Sequence, residues 1–502
     1  NFTHDIELIA GMEYNRSDYR SIYVEGIEFP SDDFQTIASA GEISGGSGVL
    51  SNFAFLSYFG RASYAYKNKY LFKASIRRDA SSRFGSESRW GTFPSVSAGW
   101  IVSEENFLID SKKLSFLKLR ASWGQVGNAD GIGDHPWRYL FGVGTYNNRP
   151  GLVSTQAPNL NLSWEKQDQV DIGIEMGFLN NRIMLEVDYY NKQIDGLLFR
   201  EPLPWTSGED DIVKNIGQME NKGVEFVLNT KNIDKKDFTW TTSINLSQNR
   251  NRVLRLPDGN DIPSDFNILR EGEAINAFYL VEYAGVNPDN GDAIFYVNRD
   301  LTPDEMDNDN FFMKDGRAVT NLYNAAERVV SGQPLPDWIG GLTNTIIFKG
   351  FDFSFTLQGE WGASIYNYGG RFQSSNGLFE DNQTRDQLNR WQQPGDITDV
   401  PQARWFLNNG GQHSTRYLQR ADFVRLRNIT IGYTIPQQAL EKSGFSRVRV
   451  YATAFNLLTF TNYDGYDPEA RDDSTALGVA RGLDFYSAPA ATTVTLGVNF
   501  NF

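Results

Sequence analysis

The feature that most constrains this chain is an alternation of apolar and hydrophilic residues with a period of two, sustained over about ten residues at a time. Residues 237–249 set Phe238, Trp240, Thr242, Ile244 and Leu246 on one face of an extended segment, with Thr239, Thr241, Ser243, Asn245 and Ser247 on the other. Val494, Leu496, Val498, Phe500 and Phe502 stand against Thr493, Thr495, Gly497, Asn499 and Asn501 in the same way. Ile183, Leu185, Val187 and Tyr189 oppose Met184, Glu186, Asp188 and Tyr190, and Phe351, Phe353, Phe355 and Leu357 oppose Asp352, Ser354, Thr356 and Gln358. These are strands with one apolar and one hydrophilic face. A β-sandwich or propeller would show the same alternation, but its strands usually run to ~5–6 residues, and the segments here reach the length of a tilted bilayer crossing.

The connections alternate as well. Short ones fall at residues 67–69, 179–181, 232–236 and 349–350, and medium ones at 103–114 and 436–445. Between them lie long polar excursions at residues 15–51, 81–91, 126–164, 193–217, 250–339, 362–420 and 458–491. Short turns at one end and long loops at the other describe an outer-membrane barrel with periplasmic turns and extracellular loops. The fold expected is therefore all-β, an antiparallel transmembrane β-barrel. Counting back from the last strand gives about fourteen crossings, an even number as such barrels prefer. That parity requires residues 274–285 and 293–298 to form a hairpin inside the 250–339 loop without crossing.

Composition narrows the function. Aromatic residues make up 14% of the 502 residues and Gly numbers 46, which suits many strands and turns. With Cys 0, thiol catalysis and Cys-based metal sites are excluded, and a net charge of -15 argues against a nucleic-acid partner. No apolar run approaches the ~20 residues of a membrane-spanning helix, which leaves a barrel open because its hydrophobicity is dispersed in alternating segments. His4, His135 and His413 are far apart in sequence, and Asp300, Asp304, Asp307 and Asp309 lack EF-hand spacing. No catalytic, cofactor or metal site is expected, and the chain does not read as an enzyme. Beginning at Asn1 without a signal segment, it is expected to be a mature or truncated part of something longer.

Several local runs carry a more specific signal. They include Arg78-Asp79-Ala80-Ser81-Ser82-Arg83-Phe84-Gly85, then Trp90-Gly91-Thr92-Phe93-Pro94-Ser95 and Gly99-Trp100. Leu119-Arg120-Ala121-Ser122-Trp123-Gly124-Gln125-Val126-Gly127-Asn128 follows, then Asn159-Leu160 through Trp164-Glu165, and Met219-Glu220-Asn221-Lys222-Gly223-Val224-Glu225. The last are Phe423-Val424-Arg425-Leu426-Arg427-Asn428-Ile429-Thr430-Ile431-Gly432-Tyr433, Asn456-Leu457-Leu458-Thr459 and Gly465-Tyr466-Asp467-Pro468-Glu469. In this order the chain resembles the SusC/RagA-type TonB-linked outer-membrane transporters.

The resemblance implies a barrel of about 22 strands, the size at which the lumen is plugged, with residues 1–502 supplying the later ~14 strands. The N-terminal plug, the TonB-contacting segment and the earlier strands are then expected outside this sequence. It also implies TonB-dependent import of a large nutrient, an oligosaccharide or a peptide, with a SusD-like substrate-binding lipoprotein on the cell surface. Two other readings stay open at this level: an ungated outer-membrane porin or channel, and a secreted β-rich carbohydrate-binding or adhesive protein. Loop aromatics Trp205, Trp338, Tyr366, Tyr368, Trp391 and Trp405 are the candidates for substrate or partner contact, since a ring offers a flat apolar face with a polar edge; loop packing is the competing role. The terminal Phe502 looks like a barrel-assembly signal, or an ordinary lipid-facing aromatic near the interface.

Overall fold

The computed structural model describes residues 3–147, 149–209, 211–469 and 482–502. Its main feature is a 14-stranded sheet in which every strand is hydrogen-bonded to its neighbours in chain order. The strands are β1 (His4–Ile27), β2 (Glu42–Tyr66), β3 (Tyr70–Ser81), β4 (Trp90–Ile101), β5 (Leu114–Asn128), β6 (Glu165–Phe178) and β7 (Ile183–Asp195). They continue as β8 (Gln218–Lys235), β9 (Phe238–Arg255), β10 (Trp338–Phe348), β11 (Phe351–Trp361), β12 (Phe423–Thr434), β13 (Arg447–Thr461) and β14 (Thr493–Asn501). The strand number meets the parity expected from the connections. The chain divides into two compact units, one of Asn1–Ile101, Arg120–Asp171 and Lys192–Met219, the other of Val102–Leu119, Ile172–Asn191 and Glu220–Phe502.

In the first unit β1 and β2 form a hairpin of 24 and 25 residues, paired from His4↔Tyr66 to Ile27↔Glu42 with one irregularity at Glu25/Gly26. This corrects the expectation of a long polar loop over residues 15–51. A strand needs a partner for its backbone groups and does not need apolar side chains, so the glycine-rich stretch around Gly45 and Gly48 pairs with Glu25 and Ile22 although its alternation is weak. Beneath the loops of this unit, Phe84, Phe93, Ala129, Ile132, Leu162, Trp164 and Val213 form one buried cluster. Three of the sequence runs quoted above meet there, and Trp164 Nε1 donates to the carbonyl of Arg89 at 2.9 Å. A Cβ on Gly127 would lie 2.1 Å from the Phe93 ring, so only glycine leaves room for that ring.

In the second unit the two faces of the wall separate as the alternation requires. Along β9–β14 the hydrophilic face is knit by cross-strand bonds: Thr343 to Thr356 at 3.0 Å, Thr430 to Thr453 at 2.9 Å, and Arg449 to Asp352 at 2.5 Å. The opposite face leaves large apolar side chains bare, with Ile431 60%, Phe351 58% and Leu496 80% exposed. A water-soluble sheet would bury that face; a membrane barrel turns it to lipid and keeps the bonded polar face for the lumen. The turn between β10 and β11 has positive φ at both central residues, Lys349 (45°) and Gly350 (90°), as a two-residue hairpin of the primed type requires.

The long connections carry their own small sheets. Residues 250–339 do not add a crossing, in agreement with the parity argument. Tyr283–Val286 pairs with Ala293–Tyr296 as the expected hairpin. The expected segment 274–285 is nevertheless divided: Ala277–Val281 pairs with Asn267–Leu269 and Arg328–Gly332 in a second sheet. The two sheets part at Glu282, because a distant strand, Arg328–Gly332, takes the edge that a continuous hairpin would have used.

Candidate substrate and partner surface in the loops

All of the surface described here belongs to the second unit. Its centre is the buried cluster Phe266, Phe278, Leu280, Tyr366, Tyr417 and Leu483, gathered from the 250–339, 362–420 and 458–491 connections. Tyr366 lies in the short strand Ser364–Asn367, which pairs antiparallel with Leu418–Arg420 and parallel with Leu483–Asp484. His413 stands edge-on to Phe266 with ring centroids 4.7 Å apart, and its Nδ1 is 3.3 Å from the Tyr366 hydroxyl. Burial, reinforced by the Arg371 guanidinium, pulls the His413 pKa down to about 4, so the ring is neutral at physiological pH. Burial likewise raises the Tyr366 and Tyr417 phenols.

Around this centre the aromatic residues singled out from sequence separate by role. Tyr366 is fully buried and Trp391 is 6% exposed, so both rings pack the loops and present no stacking face in this conformation. Trp391 Nε1 donates to the Pro288 carbonyl at 2.9 Å, and its ring lies where a Cβ on Gly291 would sit; the turn cluster at residues 287–292 is clamped by a residue a hundred positions away. Tyr368 opens the helix Tyr368–Gln373 and packs on Phe372 and Phe485 at 5.4 and 5.1 Å. Trp338 departs from the expectation of a loop position: it is the first residue of β10, paired with Gln248 and Trp361 on the wall. The side chain of Trp205 lies outside the described residues.

Trp405 is the expected aromatic that stands free, 70% exposed and in edge contact with Phe406 at 4.7 Å. It borders a cavity of about 550 Å³ with Phe379, Glu380, Asp381 and Arg390. A second cavity, of about 700 Å³, is lined by Asn367, Arg385, Asp386, Asp399, Arg416 and Gln419 among others. Both volumes fall in the range of ligand-binding clefts. The second is rich in side-chain amides and in charges of both signs, which suits hydrogen bonding to a polar ligand. Sequence reading missed Arg385, Arg390 and Phe406, because an isolated cation or ring in a loop carries no periodic signal.

Two of the quoted runs meet in an ion-pair network at the loop end of β12. Arg425, with its side chain 3% exposed, donates to Asp467 at 2.5 Å and also to Glu469, which in turn accepts from Arg427. Burial works against the Asp467 carboxylate, yet hydrogen bonds from Arg425 and from the backbone N–H groups of Ala490 and Glu469 hold its pKa below the ordinary range. The acidic residues at 300–309 surround the helix Pro303–Met306, where Thr302 and Glu305 form a capping box. Arg299 binds Glu305 at 2.7 Å and, with the Thr302 backbone, draws its pKa down to about 2. Among the described residues no group of three or more acidic or imidazole side chains is placed to hold a metal ion.

The comparisons with known proteins agree with one another. Residues 1–457 match the family model described as TonB dependent receptor-like, beta-barrel. TonB-dependent receptor P3 of Formosa agariphila is 36% identical over 430 residues, covering 82% of this chain and 42% of its own length. TonB-dependent receptor SusC of Bacteroides thetaiotaomicron is 33% identical over 446 residues, covering 82% and 40% respectively. Among solved structures, the RagAB peptide transporter superposes with a TM-score of 0.87 at 28% identity, over 100% of this chain and 54% of that one. The chain thus spans less than half the length of the curated relatives it matches. These relatives are receptors and transporters of the outer membrane, not enzymes. With its 14-stranded antiparallel wall, bare apolar outer face and ordered family runs, this chain belongs to the TonB-dependent receptor β-barrel family, is SusC/RagA-like, and resides in the bacterial outer membrane.

Proposed function

We propose that this chain forms the later part of a plugged barrel that imports a large nutrient, an oligosaccharide or a peptide, in a TonB-dependent manner and together with a SusD-like surface lipoprotein. The observation that carries the reading is the superposition of the whole chain, loops included, on the RagAB peptide transporter. The loop body supports it physically. Its exposed Trp405 and Phe406 and two cavities offer both an apolar and a polar contact surface, and loops of this size are able to form an interface above ~1,000 Å². Transport in this reading is conformational gating, with no bond chemistry in the barrel. Phe502, 91% exposed beyond the end of β14, serves as the assembly signal in the same proposal.

Extraction of the native membrane in mild detergent tests the partnership. A lipid-anchored protein is expected to purify with the receptor, and repeated recovery of the receptor alone would count against the pairing. Uptake of labelled oligopeptides and oligosaccharides by cells with and without the gene then separates the substrate classes. Unchanged uptake of both would overturn the import reading.

A further inference from the structure

Among the described residues of β9–β11, the outer face between the aromatic borders is apolar except at one place. Phe238↔Phe348 at the turn end of β9–β10 and Trp338↔Trp361 at the loop end mark two aromatic borders. The 11-residue β10 between them, tilted by about 40°, spans roughly 25 Å, the height of a barrel's lipid-facing band. Within that band, about 10 Å in from the Phe348 end, four polar side chains join one another. Thr230 donates to Asn232 Oδ1 at 2.9 Å, Asn232 Nδ2 donates to the Thr242 hydroxyl at 2.7 Å, and Thr242 donates to Asn344 Oδ1 at 2.7 Å. Trp240 Nε1 donates to the same Asn344 oxygen at 2.8 Å.

This chain of bonds ends on an unspent donor. The indole N–H only donates, so it fixes which end of the Asn344 amide is oxygen, and Nδ2 must face outward. Among the described residues that Nδ2 has no partner. Its surroundings are Phe355, Ile346, Leu342 and Ile244. In water the group would be satisfied at no cost, whereas toward hydrocarbon an unmet N–H is strongly disfavoured and calls for an acceptor from the membrane. The charges at the border below indicate which acceptor. The β8–β9 and β10–β11 turns are joined by a bond from the Lys349 N–H to the Asp237 carbonyl at 3.2 Å, and they expose Lys235, Lys236 and Lys349 beside Asp234 and Asp237. That rim holds both signs of charge.

We propose that this patch binds one phospholipid of the turn-side leaflet, with a glycerol ester carbonyl accepting from Asn344 Nδ2 and the headgroup lying on the turns. The lysines meet its phosphate and the aspartates meet an ammonium, so the pattern fits a zwitterionic ethanolamine headgroup. Trp240 lies between the two, at the level where amphipathic rings favour the interface. The site lies outside the lumen and has no part in holding the cargo.

Native mass spectrometry of the full-length receptor, delipidated and then titrated with phosphatidylethanolamine, tests the proposal. One molecule is expected to remain bound at activation energies that strip the others. Asn344→Leu, which suits a lipid-facing strand and leaves the barrel able to fold, is expected to weaken that binding at least tenfold, while Ser243→Ala on the opposite face leaves it unchanged. Retention by Asn344→Leu equal to that of the parent would overturn the site. A change in the number of receptor copies, in place of bound lipid, would reassign the patch to a protein contact and overturn it equally. Equal retention of phosphatidylglycerol would overturn the headgroup assignment.

Discussion

The wall and the loop body of the second unit are built from the same chain by opposite rules. In β11 every second side chain does the same thing: Phe351, Phe353 and Phe355 face outward while Asp352, Ser354 and Thr356 share the inner face, where Asp352 and Thr356 bond across to other strands. In the loop strand Ala277–Val281 nearly every side chain is buried, whichever way it points. The wall separates two solvents, lipid and water, so each residue's face decides its chemistry. The loop strands are enclosed by other loops, and what covers them comes from residues up to two hundred positions away, as Leu483 covers Phe278. Errors in the wall should therefore be costly and directional, and errors in the loops should depend on partners that are remote in sequence.

The largest effect expected in the loops is at the Arg425–Asp467 pair, whose side chains are 3% and 7% exposed. Arg425→Met leaves the buried Asp467 carboxylate without its guanidinium and should cost about 3–5 kcal/mol of local stability, whereas replacing both members with apolar residues should cost much less. Proteolysis within the loop at residues 462–469 measures it; equal sensitivity of the single and double variants would show that the pair is not the tether. In the wall, adjacent positions give the sharper contrast. Ile244→Arg turns a charge to lipid and should cost roughly 2–4 kcal/mol, while Ser243→Arg, facing the lumen, should cost little. Refolding equilibria in phospholipid vesicles compare them directly, and equal losses would contradict the assignment of faces.

The smallest effect expected is a pH dependence confined to the loops. His413 has a folded pKa of about 4, below its ordinary value of 6.5, so the unfolded loop binds the proton more readily. Its contribution to stability is fully present above pH ~6.5 and declines as pH falls through that value toward 4. Hydrogen exchange at the Phe266–Tyr366 cluster should therefore accelerate between those limits, and His413→Phe should flatten the profile. The depressed Asp467 adds a second loss at lower pH, as its carboxylate is protonated. An unchanged profile in His413→Phe would assign the whole effect to carboxylates.

Much of the wall was legible in the sequence because its code is local. Alternation and turn residues needed no partner to be recognised, and parity kept residues 250–339 from being read as an added crossing. The β1–β2 extension escaped the same reading since Gly45, Gly46 and Gly48 carry no side chain to alternate, although each stands opposite a residue of β1 in the ladder. The candidate surface was legible only in part. Trp405 was recognised and stands exposed, but Trp391 and Tyr366, identical in kind, are buried, and Trp338 belongs to the wall.

By itself, then, the sequence determined that the chain builds an antiparallel membrane wall, which face of each strand meets lipid, and which family it resembles. These follow from periods and runs that are read within about ten residues. Only the tertiary structure decided which loop aromatics are packing and which are surface, that Arg425 closes on Asp467 and Glu469, and that one polar chain crosses the lipid face to Asn344. The physical reason is that burial and hydrogen bonding are properties of neighbours in space. In the loops those neighbours are set by contacts across long stretches of chain, which no local pattern encodes.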